Sequence, residues 1–160
     1  MLVWKALKDL AQLAPQYAHL EKTASEIKDA IMTHCVQKDA VGKPYFGWSI
    51  DLNGSHDVYD EPPGSLQLLP LFDFCSPTDE IYHNTVAMIR SPEYKYSFAN
   101  SPINEIGCPH APHPWILSLA HSLLCGRVEH CRAILEKISM DNGIACESVD
   151  EVCLLYTSPS

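Results

Sequence analysis

The chain has 160 residues and a formal net charge of −9 with its histidines neutral. That balance, with no run of Lys and Arg, argues against nucleic acid and anionic membrane surfaces as partners. No window is apolar for long enough to cross a bilayer, and the length suits one domain with a core of ordinary size.

The start, Met1-Leu2-Val3-Trp4-Lys5-Ala6-Leu7-Lys8-Asp9, is amphipathic and charged and lacks the apolar stretch of a signal peptide. From Gln16 to about Lys38, apolar or small residues recur at Tyr17, Leu20, Ala24, Ile27, Ile31 and Cys35. Steps of three and four predict a one-sided helix, ended by Gly42 and Pro44. Residues 45–59 read as a hairpin turning at Asn53-Gly54. A short apolar helix is expected over Ser65–Leu69. Another is expected from Ser76-Pro77-Thr78-Asp79 to about Ile89, with Ser76 as cap and Pro77 in the first turn. Residues 91–112 form a long loop too aromatic for disorder. Helices follow over about Pro114–Leu124, apolar on most sides, and Arg127–Ile138, with a stripe of Val128, Cys131, Ile134, Leu135 and Ile138. Asp141-Asn142-Gly143 is a turn.

Seven cysteines (Cys35, Cys75, Cys108, Cys125, Cys131, Cys146 and Cys153) are odd in number, scattered and without a CxxC pair. No zinc or redox motif is indicated, and reduced, mostly buried thiols in a cytoplasmic protein are the simplest reading. The last segment, Cys153–Ser160, reads as an adaptor-derived, non-native tail. On that reading the natural chain continues past Val152, and the abrupt start in a helix suggests missing sequence before Met1 too.

Two acidic loops stand out. Tyr59-Asp60-Glu61-Pro62-Pro63-Gly64-Ser65-Leu66 sets two carboxyls ahead of an apolar helix, and Cys146-Glu147-Ser148 sets a third far downstream. Cleaving a glycosidic bond with inversion takes one carboxyl to protonate the leaving oxygen. A second, about 6.5–9.5 Å away, activates water. Asp60 and Glu61 are candidates for the acid and Glu147 for the base. An acid working near neutral pH needs a raised pKa, which burial or an adjacent carboxylate supplies; Asp60 and Glu61 are neighbours and follow Tyr59. Turn chemistry ahead of a helix N-terminus accounts for the same residues equally well.

Sugar sites also use flat apolar faces and planar polar groups. Trp48, Tyr59, Tyr94, Tyr96, Phe98 and Trp115 lie in or beside the loops, and His110, His113, Arg90 and Asn84 are available for hydroxyls. The aromatics serve as well to pin the loops to the core. His110-Ala111-Pro112-His113 fits no strong metal motif, so no metal or cofactor is expected. Cys108 or Cys146 as a nucleophile is permitted by residue type alone and has no support from spacing.

From about Lys43 to Asp150 these motifs, in this order, resemble the metal-independent exo-α-mannosidases of glycoside hydrolase family 125. The acidic segment running into Ser65-Leu66 is similar to the family's Asp-Asp-Ala-Asn loop. Phe74-Cys75-Ser76-Pro77, Tyr82-His83-Asn84-Thr85 and Arg90-Ser91-Pro92-Glu93-Tyr94-Lys95-Tyr96 resemble the next helix and aromatic loop. Ile106-Gly107-Cys108-Pro109-His110 resembles the Gly-Gly-Pro-His turn, and Glu147-Ser148 the His-Glu-Ser that carries the base.

The resemblance implies an all-α fold, an incomplete (α/α)6 toroid with a small β-hairpin near the active site. Residues 1–152 would be the C-terminal part of the catalytic domain. It implies inverting, exo-acting hydrolysis of α-mannosides, α-1,6-linked, with an oligosaccharide substrate. Asp60 would be the acid and Glu147 the base, with Trp48, Tyr59, Ser65, Tyr96, His110, His113 and Trp115 around the sugar. Two departures bear on this: Glu61-Pro62-Pro63-Gly64 replaces the Ala-Asn segment, which leaves Glu61 as the other acid, and Cys146 stands where the family has His. A related inverting toroid acting on α-glucosides, and a carbohydrate-binding or inactive fragment without turnover, are the rival readings.

Overall fold

The computed structural model describes residues 1–58, 64–109, 112–138 and 147–152. Tyr59, Asp60, Glu61, His110, the turn expected at 141–143 and the tail after Val152 lie outside the described residues. The chain is helix-rich with small two-stranded hairpins, in the order α1 (Leu2–Leu13), α2 (Leu20–His34), β1 (Val36–Lys38), β2 (Pro44–Phe46), β3 (Ser49–Ile50), β4 (His56–Asp57), α3 (Glu80–Ile89), α4 (Ile116–Leu124) and α5 (Val128–Leu135). Short 3-10 turns occupy Pro15–Tyr17 and Leu66–Leu68. None of the described helices is long and apolar enough to cross a membrane.

Two compact units divide the chain: Met1–Tyr59 with Leu68–Thr85, and Asp60–Gln67 with Val86–Ser160. In the first, α1 buries Trp4 and Ala11, seven residues apart on one face, and α2 buries Ala24 with Leu20, Ile27 and Ile31 half-buried beside it. The periodicity expected over 16–38 holds from Leu20 on, but Tyr17 is exposed in a separate 3-10 turn and α2 ends at His34 rather than near Lys38. Val36–Lys38 instead pairs antiparallel with Pro44–Phe46, Val36 opposite Phe46. Gly42, at φ 85°, belongs to the turn of that hairpin rather than to a helix end.

The hairpin expected over 45–59 is shorter and shifted. Ser49–Ile50 pairs with His56–Asp57, and Tyr45 and Phe46 belong to the other hairpin. The loop is closed by Asp51, whose carboxylate accepts from the backbone N–H of Asn53 (2.8 Å) and of Ser55 (3.0 Å). Those two bonds, Asn53's first, hold its pKa below the usual carboxylate value. Gly54 supplies the left-handed turn at φ 102°.

Phe46 and Phe74 are almost fully buried and meet edge to face at 6.0 Å. The Phe46 N–H donates to Thr85 Oγ1 (2.8 Å), which in turn donates to Ile81 O (2.7 Å). The helix expected to start at Ser76 starts at Glu80, because the Asp79 carboxylate accepts from Ile81 N–H at 2.9 Å and caps it. Ser76 instead accepts from Thr78 N–H. The helix expected at 65–69 is the 3-10 turn over Leu66–Leu68.

In the second unit Ile103, Leu119, Cys131, Ile134, Ile138 and Val149 form the apolar core, with Ile116 packed against it. Both expected helices are present, α5 ending at Leu135 rather than Ile138, yet their faces differ. On α4 the buried residues are Ser118, Leu119, His121 and Ser122, while Leu117, Leu123 and Leu124 are exposed. On α5 Cys131 and Ile134 are buried, whereas Val128 and Leu135, expected on the same stripe, are exposed. The polar face of α4 points inward because a buried carboxylate waits for it there.

Candidate active site

Prolines at 102, 109, 112 and 114 keep the segment between α3 and α4 from coiling. Its backbone groups must therefore find partners on other extended pieces, and they do so in an arrangement of four pieces. Gly107 N–H donates to Tyr96 O (2.9 Å), and Phe98 N–H to Glu105 O (2.9 Å). Trp115 N–H donates to Ile106 O (3.0 Å), Ile116 N–H to Glu147 O (3.1 Å) and Val149 N–H to Pro114 O (3.0 Å). Bridges between Ser97 and Ile106, and between Trp115 and Ser148, complete the pattern. Segments 96–98, 105–107, 114–116 and 147–149 thus lie in sequence beside one another.

Of the residues singled out from the sequence, Tyr96, Phe98, Trp115 and Glu147 lie on these pieces, with 105–107 standing between the piece of Tyr96 and that of Trp115. Glu147 is exposed at one edge, Trp115 is buried on the adjoining piece, and Tyr96 is half-buried on the far one. Tyr96 meets Tyr94 edge-on at 5.8 Å, and Lys95 Nζ lies 5.2 Å from the Tyr96 ring centre. His113, half-buried, pairs through Nδ1 with Glu151 Oε2 at 2.9 Å. Ser65 lies in the same unit but is buried, and its hydroxyl accepts from the Gln67 N–H at 3.0 Å. Trp48 belongs to the first unit and is partly exposed, with its N–H donated to Asp57 O (2.9 Å). Two further polar groups expected near hydroxyls are committed elsewhere: Asn84 donates to Pro44 O, and Arg90 is held inside the second unit.

The hub of that unit is Glu105, a residue the sequence did not mark. Its side chain is fully buried. Arg90 pairs with one carboxylate oxygen, to which Ser118 Oγ also donates at 2.5 Å. The other oxygen receives Ser122 Oγ (2.6 Å) and His130 Nε2 (2.8 Å), with Arg127 Nη1 at 3.6 Å. A lone buried carboxylate is costly, whereas one met by two guanidinium groups, two hydroxyls and an imidazole is satisfied. The signal that could have found it is the spacing Ser118, His121, Ser122 among leucines: a polar stripe at helical period needs a polar partner inside.

Beside this cluster His121 is buried. Burial, reinforced by the Arg90 charge and opposed by Glu105, pushes its imidazole down to about 4, so it is neutral at pH 7. Its Nδ1 has no hydrogen-bond partner among the described residues.

His113, Asp150 and Glu151 offer one ligand atom each within 4.8 Å of one another. The His113–Glu151 hydrogen bond and the Asp150 carboxylate accepting from Val152 N–H (2.9 Å) give these groups protein partners.

The chain matches the family model described as metal-independent alpha-mannosidase (GH125) over residues 1–152. No curated protein matches it. Among solved structures it is similar to a metal-independent alpha-mannosidase from Streptococcus pneumoniae, described as a non-productive substrate complex with alpha-1,6-mannobiose. The TM-score is 0.77 at 21% identity, covering 93% of this chain and 38% of that one. The chain therefore spans well under half the length of that neighbour, and the likeness carries the fold. With the family match running from the first residue to Val152, the chain belongs to the metal-independent α-mannosidases of glycoside hydrolase family 125.

Proposed function

We propose that the chain is the part of an inverting exo-α-mannosidase that bears both the acid and the base, built on an (α/α)6 toroid. Asp60, with Glu61 as the other choice, protonates the glycosidic oxygen, and Glu147 takes the proton of the attacking water. Tyr96, Trp115 and His113 line the sugar-facing side, and an α-1,6-linked mannoside is the substrate class. Family membership favours mannosides over glucosides. The observation that carries the reading is the backbone bonding of 147–149 to 114–116, which holds the base candidate beside Trp115 while leaving it exposed.

The test follows α-1,6-mannobiose hydrolysis by proton NMR with the chain and its Glu147→Gln and Asp60→Asn/Glu61→Gln variants. The expected first product is the β-anomer, and each variant drops turnover by about 10³-fold or more. Undiminished hydrolysis in Glu147→Gln, or an α-anomer formed first, overturns the assignment.

A second reading, sugar binding without turnover by this chain alone, draws on the coverage of 38% of the neighbour and on the exposed Leu117, Leu123, Leu124, Val128 and Leu135. Mannobiose binding with no hydrolysis in the same NMR experiment selects it.

A further inference from the structure

We infer that Arg90 and Glu105 are positioning residues, a single buried node that anchors both the segment following the Asp60–Glu61 loop and the Glu147 loop. The inference rests on the acid and base assignments above and concerns the segments 65–67 and 147–149.

Arg90 spends each part of its guanidinium on a different piece of chain. Nε donates to Gln67 Oε1 at 2.8 Å, Nη1 to Glu105 and to Ser118 Oγ (3.3 Å), and Nη2 to Ser118 O at 3.0 Å. Gln67 is buried, and its N–H donates to Ser65 Oγ, so the segment 65–67 that emerges from the acidic loop is tied to Arg90. Ser118 lies in the first turn of α4; the first residue of that helix, Ile116, donates its N–H to Glu147 O, and Pro114 O, just before the helix, accepts from Val149 N–H. Glu105 itself accepts the Phe98 N–H through its carbonyl, which adds the aromatic loop to the same node.

Three chain segments that must meet around one sugar thus converge on one ion pair. A guanidinium holds five N–H donors in a rigid, wide fork that reaches all of these partners at once, whereas an ammonium offers three rotatable donors from one compact point. Proper geometry at two reacting carboxyls is worth about 10²-fold in rate per ångström, so a rigid common anchor has a mechanistic use beyond stability.

The experiment measures amide hydrogen exchange on the chain and on Arg90→Lys, Glu105→Gln and Gln67→Met. In Arg90→Lys, amides of 65–69 and of 147–150 exchange faster together, by about tenfold or more, while α1 and α2 keep their rates. Gln67→Met, which removes one branch and leaves the node, accelerates 65–69 alone. Uniform acceleration throughout the chain, or acceleration of only one loop in Arg90→Lys, overturns the inference. Should Glu105→Gln fail to fold, the other two variants still decide it. In the mannobiose assay Arg90→Lys lowers kcat about 10–100-fold with KM within a few-fold; a raised KM at unchanged kcat also overturns it. The exchange pattern is independent of turnover, so failure of the acid–base reading, seen in Glu147→Gln, is distinguishable from failure of the node.

Discussion

In the first unit Phe74 is met edge-on by Trp4 at 5.1 Å and by Phe46 at 6.0 Å, with Lys28 Nζ 5.2 Å above its ring. In the second unit Glu105 is met by two arginines, two serines and a histidine. The first centre is made of groups that lose little if one neighbour is trimmed, because dispersion and burial are spread over many contacts. The second is made of groups each of which strands another when it leaves. Glu105 gathers pieces from 90 to 130, far apart in sequence, and an apolar contact would not specify their register so narrowly. An aromatic centre gives stability, and a desolvated polar centre gives position.

The sharpest break of this contrast is Glu105→Ala. It leaves Arg90 buried without its counter-charge and costs about 3–5 kcal/mol, read from a urea midpoint. Pairing Glu105→Leu with Arg90→Met recovers most of that stability while the loop positions loosen; a double variant as unstable as the single one would place the energetics elsewhere.

Acid comes next. His121 is neutral in the fold with its pKa lowered from 6.5 to about 4. The unfolded chain therefore takes up a proton that the folded one refuses between those values. Stability is full above about pH 6.5 and falls as pH drops towards 4, by up to about 3 kcal/mol. Thermal melts at pH 7 and pH 4.5 measure it, and His121→Phe should flatten the slope. A transition assigned to α1 and α2 that moves as far as that of α4 and α5 would erase the distinction between the units.

The smallest effect belongs to the first unit. Lys28→Met removes a cation lying 5.4 Å from the Trp4 ring and 5.2 Å from that of Phe74. The expected loss is about 0.5–1 kcal/mol, with no change in the acid slope.

Much of the helical framework was legible because it is written locally. The 20, 24, 27, 31 spacing of α2 and the leucine-rich run of α4 are periodic signals, and Asn53-Gly54 marks a hairpin turn with its own chemistry. What could not be read was decided by partners distant in the chain. Val36–Lys38 leaves the helix because Pro44–Phe46 is there to pair with it. The inward face of α4 is its polar one because Glu105 lies beneath it. At the site, Tyr96, Trp115 and Glu147 were named from residue type and order of motifs. The hydrogen bonds that align the pieces carrying them run between backbone atoms and leave no trace in side-chain identity. Arg90 reads from the sequence as available to a sugar hydroxyl, because a lone arginine near an aromatic loop gives no sign that it is spoken for internally.

The bonds that fix residues 147–149 are main-chain ones, Ile116 N–H to Glu147 O and Val149 N–H to Pro114 O. Evolution can therefore alter the chemistry at position 147 without retracing the path of the chain, since neither bond involves that side chain. A scaffold of this sort tolerates experiments in reactivity, and relatives that exchange the acid for another group would be expected to keep the same strand of backbone in place.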